Sequence, residues 1–291
     1  MTFSTSPAPA NTPNVIFVID EGMIQSETHS GLPEKLRALG YGVEVTTFIT
    51  KGESRAVTAY GPDQCVVAYG SIEFVEQRVQ AIQGIPGCYY ARDRFMCSHY
   101  MPRIPLELLG NADAVYLPFA EFERRLDQLY RYFGASRLFV RPDSGIKTFT
   151  GLCIDRESAA FELSSLKQLT PVTEKSLVLV APASVIAAEY RFFIVDGKVI
   201  TGSRYHVGGK ISIHPSISQA CLRVAEQVAA LPRQIDLAYV CDVGFFDGVP
   251  KVVELNAFST SGLYACDSLA LFKAVADLAL REFNYEVAME D

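Results

Sequence analysis

The segment Tyr239–Asn256, YVCDVGFFDGVPKVVELN, carries three polar side chains where an apolar strand pair should have none: Asp242, Glu254 and Asn256. Asp247-Gly248 at its middle is a hairpin signal. Glu254 and Asn256 are two residues apart, so they share a sheet face. Asp242 joins that face only if the connection holds an odd number of residues, for example Asp247–Val249. A strict two-residue turn sends Asp242 and Glu254 to opposite faces. If the three converge, two carboxylates and an amide oxygen form a hard-oxygen set suited to Mg²⁺ held partly by substrate phosphates. Otherwise they are a solvent-facing polar stripe on an antiparallel sheet.

A second hairpin, Ala188–Tyr205, turns at Asp196-Gly197. A two-residue turn there sets Glu189 opposite Arg204 and Arg191 opposite Gly202, all on one face. The arrangement is either a cross-strand ion pair worth roughly 0.2–1 kcal/mol, or two guanidiniums aimed at phosphate or carboxylate oxygens with Glu189 orienting one of them. A third stretch, Leu138–Gly151, ends a strand in Arg141 and stops the ladder with Pro142. It continues as a loop with Gly145, Lys147, Thr148, Thr150 and Gly151. Glycines let a backbone approach phosphates, and Arg141 and Lys147 supply charge. An ordinary hairpin connection has the same composition. The patterns G-x-x-x-x-G-K-[ST], G-x-G-x-x-G and G-x-S-x-G are absent, so the usual nucleotide loop, dinucleotide loop and nucleophile elbow are excluded.

The elements that must position these residues fall into two styles. Strand patterns at Asn14–Ile19, Val43–Ile49 and Cys65–Tyr69 alternate with helical patterns at Gly31–Leu39 and Ser71–Gln83, which predicts an α/β layer with a largely parallel sheet. Ser71 reads as a helix N-cap. Gly84–Pro105 is irregular, Ala114–Phe119 is a strand, and Phe122, Leu126, Leu129 and Phe133 mark one face of a helix over Ala120–Phe133. After a boundary near residue 136 come the strands Arg137–Arg141 and Ser176–Ala181 and the two hairpins. A helix opens at the capping box Ser216-Ile217-Ser218-Gln219, and a last helix over Ser268–Phe283 is capped by Asp267. The reading is an α/β domain over residues 14–136 followed by an α+β domain over 137–291, with residues 1–13 a disordered lead-in.

Composition excludes several classes. With 291 residues, 49% hydrophobic and 20% charged, the chain buries a full core without disulfide or metal staples. A net charge of −7 argues against non-specific binding to nucleic acid or anionic membrane. No apolar run approaches a membrane span, and the N-terminus has no basic n-region or apolar core. Seven cysteines without a C-x-x-C pair fit reduced thiols in a cytoplasmic protein. The four histidines lack zinc-ligand spacing.

Taken in order, these features resemble the ATP-grasp superfamily: a strand with a terminal cation, a Gly/Lys/Thr loop, an apolar strand, E-x-R on one hairpin and D…E-x-N on another. The resemblance covers roughly residues 137–267. Arg141 stands where most members carry lysine, as in the divergent clade defined by that replacement. This clade holds phage and bacterial proteins of unknown substrate and the eukaryotic cell-cycle protein that assembles a translation initiation factor. The resemblance implies a lid subdomain over 137–181 and a metal and phosphate subdomain over 182–291. It further implies that Arg141 and Lys147 contact the α- and β-phosphates of ATP. Val178, Val180 and Ala181 would line the adenine slot, and Glu189 would contribute to the nucleotide site. Arg191 and Arg204 would bind the γ-phosphate or an acyl phosphate, and Asp242, Glu254 and Asn256 would hold Mg²⁺. The loop Ser259-Thr260-Ser261-Gly262 would hold substrate, its backbone N–H groups free to receive an anion.

The implied activity is an ATP- and Mg²⁺-dependent carboxylate–amine ligase working through an acyl phosphate, with no nucleophilic side chain. The carboxylate and amine, whether protein, peptide or metabolite, are not specified by the sequence. An ATP-binding assembly factor without ligase turnover is the alternative; a kinase on the same scaffold is a third.

Overall fold

The computed structural model describes residues 15–47, 58–79 and 81–290. The lead-in expected over residues 1–13 lies outside them. The chain divides into two compact units, one formed by residues 1–89 with 268–291 and the other by residues 90–267.

The first unit contains β1 (Ile16–Asp20), α1 (Leu32–Ala38), β2 (Gly42–Thr46), β3 (Cys65–Tyr69), α2 (Ile72–Val79) and β4 (Ile85–Gly87). Its sheet has the order β2-β1-β3-β4 with every pairing parallel. All of β3 is buried, which explains its unbroken apolar run. Ser71 Oγ accepts from Phe74 N at 3.1 Å, the N-cap bond of α2.

The second unit begins with α3 (Cys97–Tyr100), β5 (Val115–Pro118), α4 (Phe119–Arg124) and α5 (Leu126–Phe133). The helix expected over Ala120–Phe133 is thus two helices, broken at Arg125, yet Phe122 and Leu129 are buried as the periodicity requires. Next come β6 (Arg137–Pro142), β7 (Leu152–Asp155), α6 (Ala159–Leu169) and β8 (Leu177–Pro182). These strands form a four-stranded sheet, β5-β8-β6-β7. Leu138, Val140, Val178 and Val180 pack with Phe122, Leu129 and Leu163 of the three helices. The division suggested near residue 136 is not where the chain divides. Residues 115–118 pair with β8, so the second unit already includes the segment from residue 90.

The remaining strands are β9 (Ile186–Val195), β10 (Lys198–Val207), β11 (Lys210–His214), β12 (Ala238–Phe246) and β13 (Val249–Ala257), with α7 (Gln219–Ala229) between β11 and β12. They form an antiparallel sheet in the order β11-β10-β9-β12-β13. Both hairpin turns are two-residue turns with positive φ at both positions, 50° and 68° at Asp196-Gly197 and 48° and 83° at Asp247-Gly248. Cys221, Val224 and Val228 of α7 cover one face of this sheet. The helix N-cap is Ser218, which accepts from Cys221 N at 3.4 Å. The expected capping box began two residues too early, because Ser216 is bonded instead to His214 Nδ1 at 2.8 Å.

The chain then returns to the first unit as α8 (Ser268–Glu290), longer than the helix expected over Ser268–Phe283. Phe272 of α8 packs against Phe17 and Tyr69 of the parallel sheet. All seven cysteines are free. Among the described residues, no helix is long and apolar enough to cross a membrane.

Candidate active site

The five-stranded sheet carries one polar row across four strands. Ser203 on β10 pairs with Arg191 on β9, Arg191 with Asp242 on β12, and Asp242 with Glu254 on β13. The row exists because of β-bulges. Between Phe246↔Val249 and Val243↔Val252 the hairpin follows a strict two-residue turn, and the register then shifts by one before Asp242↔Glu254. The extra residue puts Asp242, Glu254 and Asn256 on one face despite the even turn.

The same device has the opposite effect on the other hairpin. Its register shifts between Val199 and Thr201 and again between Arg204 and His206. Glu189 therefore faces His206 rather than Arg204, and Arg191 faces Ser203 rather than Gly202. Arg204 pairs with Tyr190 on the opposite face and donates to Ser212 O (3.4 Å) and Ser212 Oγ (3.3 Å) on β11. It does not join Arg191.

Arg191 and Asp242 form a sealed pair. Arg191 Nε donates to Asp242 Oδ1 at 2.9 Å and Nη2 to Oδ2 at 2.8 Å, a fork-on-fork contact. The Asp242 side chain is 0% exposed and that of Arg191 8%. Burial pushes the Asp242 carboxyl up, against the opposing pull of Arg191. Arg191 Nη1 also donates to Gly262 O at 3.1 Å, and the guanidinium carbon lies 4.7 Å from the Tyr264 ring centre. Tyr264, at a φ of 50°, stacks on Tyr205 with ring centres 4.9 Å apart.

Glu254 is held differently. Arg141 Nη2 and Lys147 Nζ each lie 2.8 Å from one of its oxygens. Burial would raise this carboxyl, but Lys147 and Arg141 outweigh burial and hold it below the usual carboxylate range. Asn256 Nδ2 bridges the two clusters, donating to Glu254 Oε1 at 2.9 Å and to Asp242 Oδ2 at 3.3 Å. Arg141 comes from β6 and Lys147 from the loop after it, where its backbone has a φ of 48°.

A cavity of about 470 Å³ opens over this cluster. Arg141, Lys147 and Glu254 form its charged side, Phe139, Phe149, Ile186 and Val253 its apolar side, and Glu189, Tyr205 and His206 a third wall. Gly244 lets Ile186 and Val253 of this wall pack close, since a side chain there would meet Ile186 Cγ2 at 2.7 Å and Val253 Cγ2 at 3.0 Å. A smaller recess shares Phe139, Ile186 and Val253 and adds Asn111, Cys153 and Ser184.

Other expected residues stand elsewhere. Val178 and Val180 are fully buried in the helix-covered core, and neither lines the cavity. Their strand is paired on both sides, so its backbone groups are engaged in ladders and not presented to a base. Ala181 shares a face with Phe139 but is 1% exposed. Ser259 and Ser261 are buried; Ser261 Oγ donates to Ala257 O and Ser261 N to Phe258 O, so that N–H is not free for an anion. Tyr205 and Tyr264 have no signal in the sequence, because only the bulge and the loop conformation bring them to the site; His206 shares a face with Glu189 even in the plain two-residue register, and the bulges set it directly opposite.

Among the described residues, no group of three or more His, Cys, Asp or Glu side chains is placed to hold a metal ion alone. The donor set still fits Mg²⁺, which uses one or two carboxylates and completes its shell with water and phosphate oxygens. Glu254 Oε2 and Asp242 Oδ1, each bonded once, keep a further lone pair, while Glu254 Oε1 and Asp242 Oδ2 each accept two bonds.

No protein of curated function matches the chain by sequence. Many solved structures share the fold, among them the following three. D-cycloserine synthetase DcsG superposes with a TM-score of 0.61 at 15% identity, covering 91% of this chain and 100% of its own. The D-alanine–D-alanine ligase from Bacillus anthracis gives 0.56 at 14%, covering 94% and 99%. The ATP-grasp ligase PsnB, complexed with a minimal precursor, gives 0.52 at 12%, covering 92% and 99%. Residues 126–274, just over half of the chain, match a family described as an ATP-grasp domain, family 2 of its clade. The basic strand end, the charged loop and the two bulged hairpins all lie within that match, and the chain belongs to this ATP-grasp family.

Proposed function

We propose that the protein is an ATP- and Mg²⁺-dependent carboxylate–amine ligase that forms an amide through an acyl phosphate. The observation that carries this reading is the placement of Arg141 and Lys147 on the two oxygens of Glu254 at the edge of the cavity. Two cations held by one carboxylate are a phosphate site in waiting, since the cations can turn to phosphate oxygens while the carboxylate turns to a metal. The fold shared with two amino-acid synthetases or ligases and with PsnB supports the class.

The apolar side of the cavity takes the base, and the recess at Ser184 and Asn111 receives its polar edge in place of Val178 and Val180. Arg141 fills the position where the superfamily pattern has lysine, and its forked guanidinium is suited to two phosphate oxygens. Lys147 follows the phosphates as a mobile point charge. Glu254 and Asn256, backed by Asp242, would hold Mg²⁺, which supplies charge neutralisation on the transferred phosphoryl group. Arg191 commits three of its five N–H groups to Asp242 and Gly262, leaving two for an acyl phosphate. Thr260 and Gly262 are what the loop after β13 can offer to substrate.

The substrate carboxylate attacks the γ-phosphorus and ADP leaves; the amine then attacks the acyl carbon and phosphate leaves. The chain's work is positioning and charge stabilisation. The test is a thermal melt with ATP, with and without Mg²⁺, followed by ADP release with carboxylate and amine panels. Ligand at 100 times its Kd should add roughly 2.7 kcal/mol of stability. No shift under any condition refutes the reading; a shift without turnover on any panel moves the assembly-factor reading to first place.

A further inference from the structure

The third wall of the cavity has no part in the phosphate cluster. Glu189, 14% exposed, accepts from Tyr205 Oη at 2.7 Å through one oxygen and from His206 Nδ1 at 3.0 Å through the other. The bulge between Arg204 and His206 turns Tyr205 and His206 together onto the face of Glu189. With Nδ1 carrying its proton against a carboxylate, the neutral imidazole has its lone pair on Nε2. No described residue bonds Nε2, and the His206 side chain is 25% exposed on the cavity wall.

An amine arrives in neutral water as an ammonium ion and cannot attack a carbonyl until it loses a proton. The other ionisable groups on the wall cannot accept it. Arg141 and Lys147 are cations, Glu254 is paired with both, and each oxygen of Glu189 is already bonded, one to Tyr205 and the other to His206. The groups around the imidazole are Glu189 on β9, Tyr205 beside it on β10, and Ile211 opposite it on β11 with Lys210 adjacent. Arg141, Lys147 and Glu254 lie on the same cavity.

We propose that His206 is the general base for the attacking amine and that Glu189 is the positioning residue that fixes its tautomer, an inference that rests on the ligase reading. The proton leaves the ammonium group for Nε2 and passes on to solvent. The freed lone pair forms the C–N bond, the carbon–oxygen bond to the phosphoryl group breaks with its electron pair leaving on phosphate, and the departing phosphate takes the second proton from nitrogen.

Nitrogen-15 NMR of the ring nitrogens tests this in the protein loaded with the Mg²⁺ complex of a non-hydrolysable ATP analogue, His206→Gln identifying the signals. The expected state is protonated Nδ1 and unprotonated Nε2, unmoved by nucleotide, with a mixture of tautomers in Glu189→Gln. An Nε2–H tautomer, or an Nε2 signal displaced by the nucleotide, overturns the proposal. Failure of the nucleotide to bind at all, seen as an unshifted melt, is failure of the ligase reading itself. In turnover on a pool of amino acids, His206→Gln should release ADP about 10²–10⁴-fold more slowly. Hydroxylamine, already unprotonated at neutral pH, should restore the rate. Equal loss with both nucleophiles also overturns the proposal.

Discussion

Arg191, Asp242 and Glu254 lie side by side on one row of one sheet, and Asn256 touches both carboxylates, yet the Arg191–Asp242 pair and the cluster that Glu254 forms with Arg141 and Lys147 are built for different tasks. The first pair is closed: its side chains are 8% and 0% exposed, and a third bond from Arg191 ties it to Gly262. The second opens on a cavity, and its lysine is 43% exposed. A buried ion pair closed by two direct bonds is a strut, costly to break from one side. A carboxylate shared by two cations, one of them half in water, can exchange partners when phosphate and metal arrive. The chain thus separates holding the site from working it, within one sheet row.

Glu254→Gln should break the working half most completely. It removes the charge that would face the metal, and ADP release should fall at least about 10²–10³-fold, the loss typical of deleting one preorganised electrostatic contact. The fold should survive, because the amide can still accept from Arg141. Normal turnover in this variant sinks the assignment of Glu254 to the metal.

Asp242→Ala attacks the strut. It leaves a buried guanidinium without its carboxylate, and chemical denaturation should show a loss of about 3–5 kcal/mol. A loss under about 1 kcal/mol would mean that the pair is no strut and that the contrast between the halves is mistaken. Lys147→Met sharpens the comparison from the other side. Half-exposed ion pairs contribute little, so nucleotide-free stability should stay within about 1 kcal/mol. The affinity for Mg·ATP by calorimetry should drop about tenfold, or ~1.4 kcal/mol.

Acid separates the halves as well. Lys147 and Arg141 hold Glu254 below the usual carboxylate range in the folded protein, against ~4.3 when unfolded. Below about pH 5 the unfolded chain therefore binds the extra proton, so this contribution is present at neutral pH and lost as pH falls. Burial holds Asp242 and Glu189 above their ordinary values, so their contribution runs the other way. Melting midpoints taken from about pH 6 down to 3 should fall more steeply for wild type than for Glu254→Gln. Parallel curves would remove Glu254 from the account.

The sequence carried the chemistry further than the geometry. Glu254 and Asn256 were legible as one face because a strand's period is two, and both Asp-Gly turns are where the pattern put them. Whether Asp242 joined them depended on a parity that the turn alone could not settle, and a bulge at Val253 settled it. Bulges leave no reliable mark in a single sequence, and two more of them removed Arg204 from the site and set His206 directly opposite Glu189. The adenine slot falls on β8 only through the family resemblance, which the strand's apolar run does not test. An apolar run paired on both sides is a core strand, and the cavity begins past its end, at Ser184 and Ile186. The strand β7 and helix α6 were missed because the loop composition of Pro142–Thr150 hides how soon regular structure resumes.

Arg204→Ala carries the smallest expected effect and tests the register itself. If Arg204 stood opposite Glu189, as an unbulged hairpin requires, it would share a face with Arg191, and its loss would slow phosphoryl transfer. In the observed register it faces Tyr190 and braces β11 through Ser212, away from the cavity. Its removal should leave ADP release unchanged within about twofold and cost about 0.5–1.5 kcal/mol, the worth of a typical hydrogen bond. A large fall in turnover with an unchanged melt would return Arg204 to the cavity face. It would also set His206 opposite Ala187 instead of Glu189, because residues two apart keep one face in an unbulged strand, and the Glu189–His206 pair would be lost.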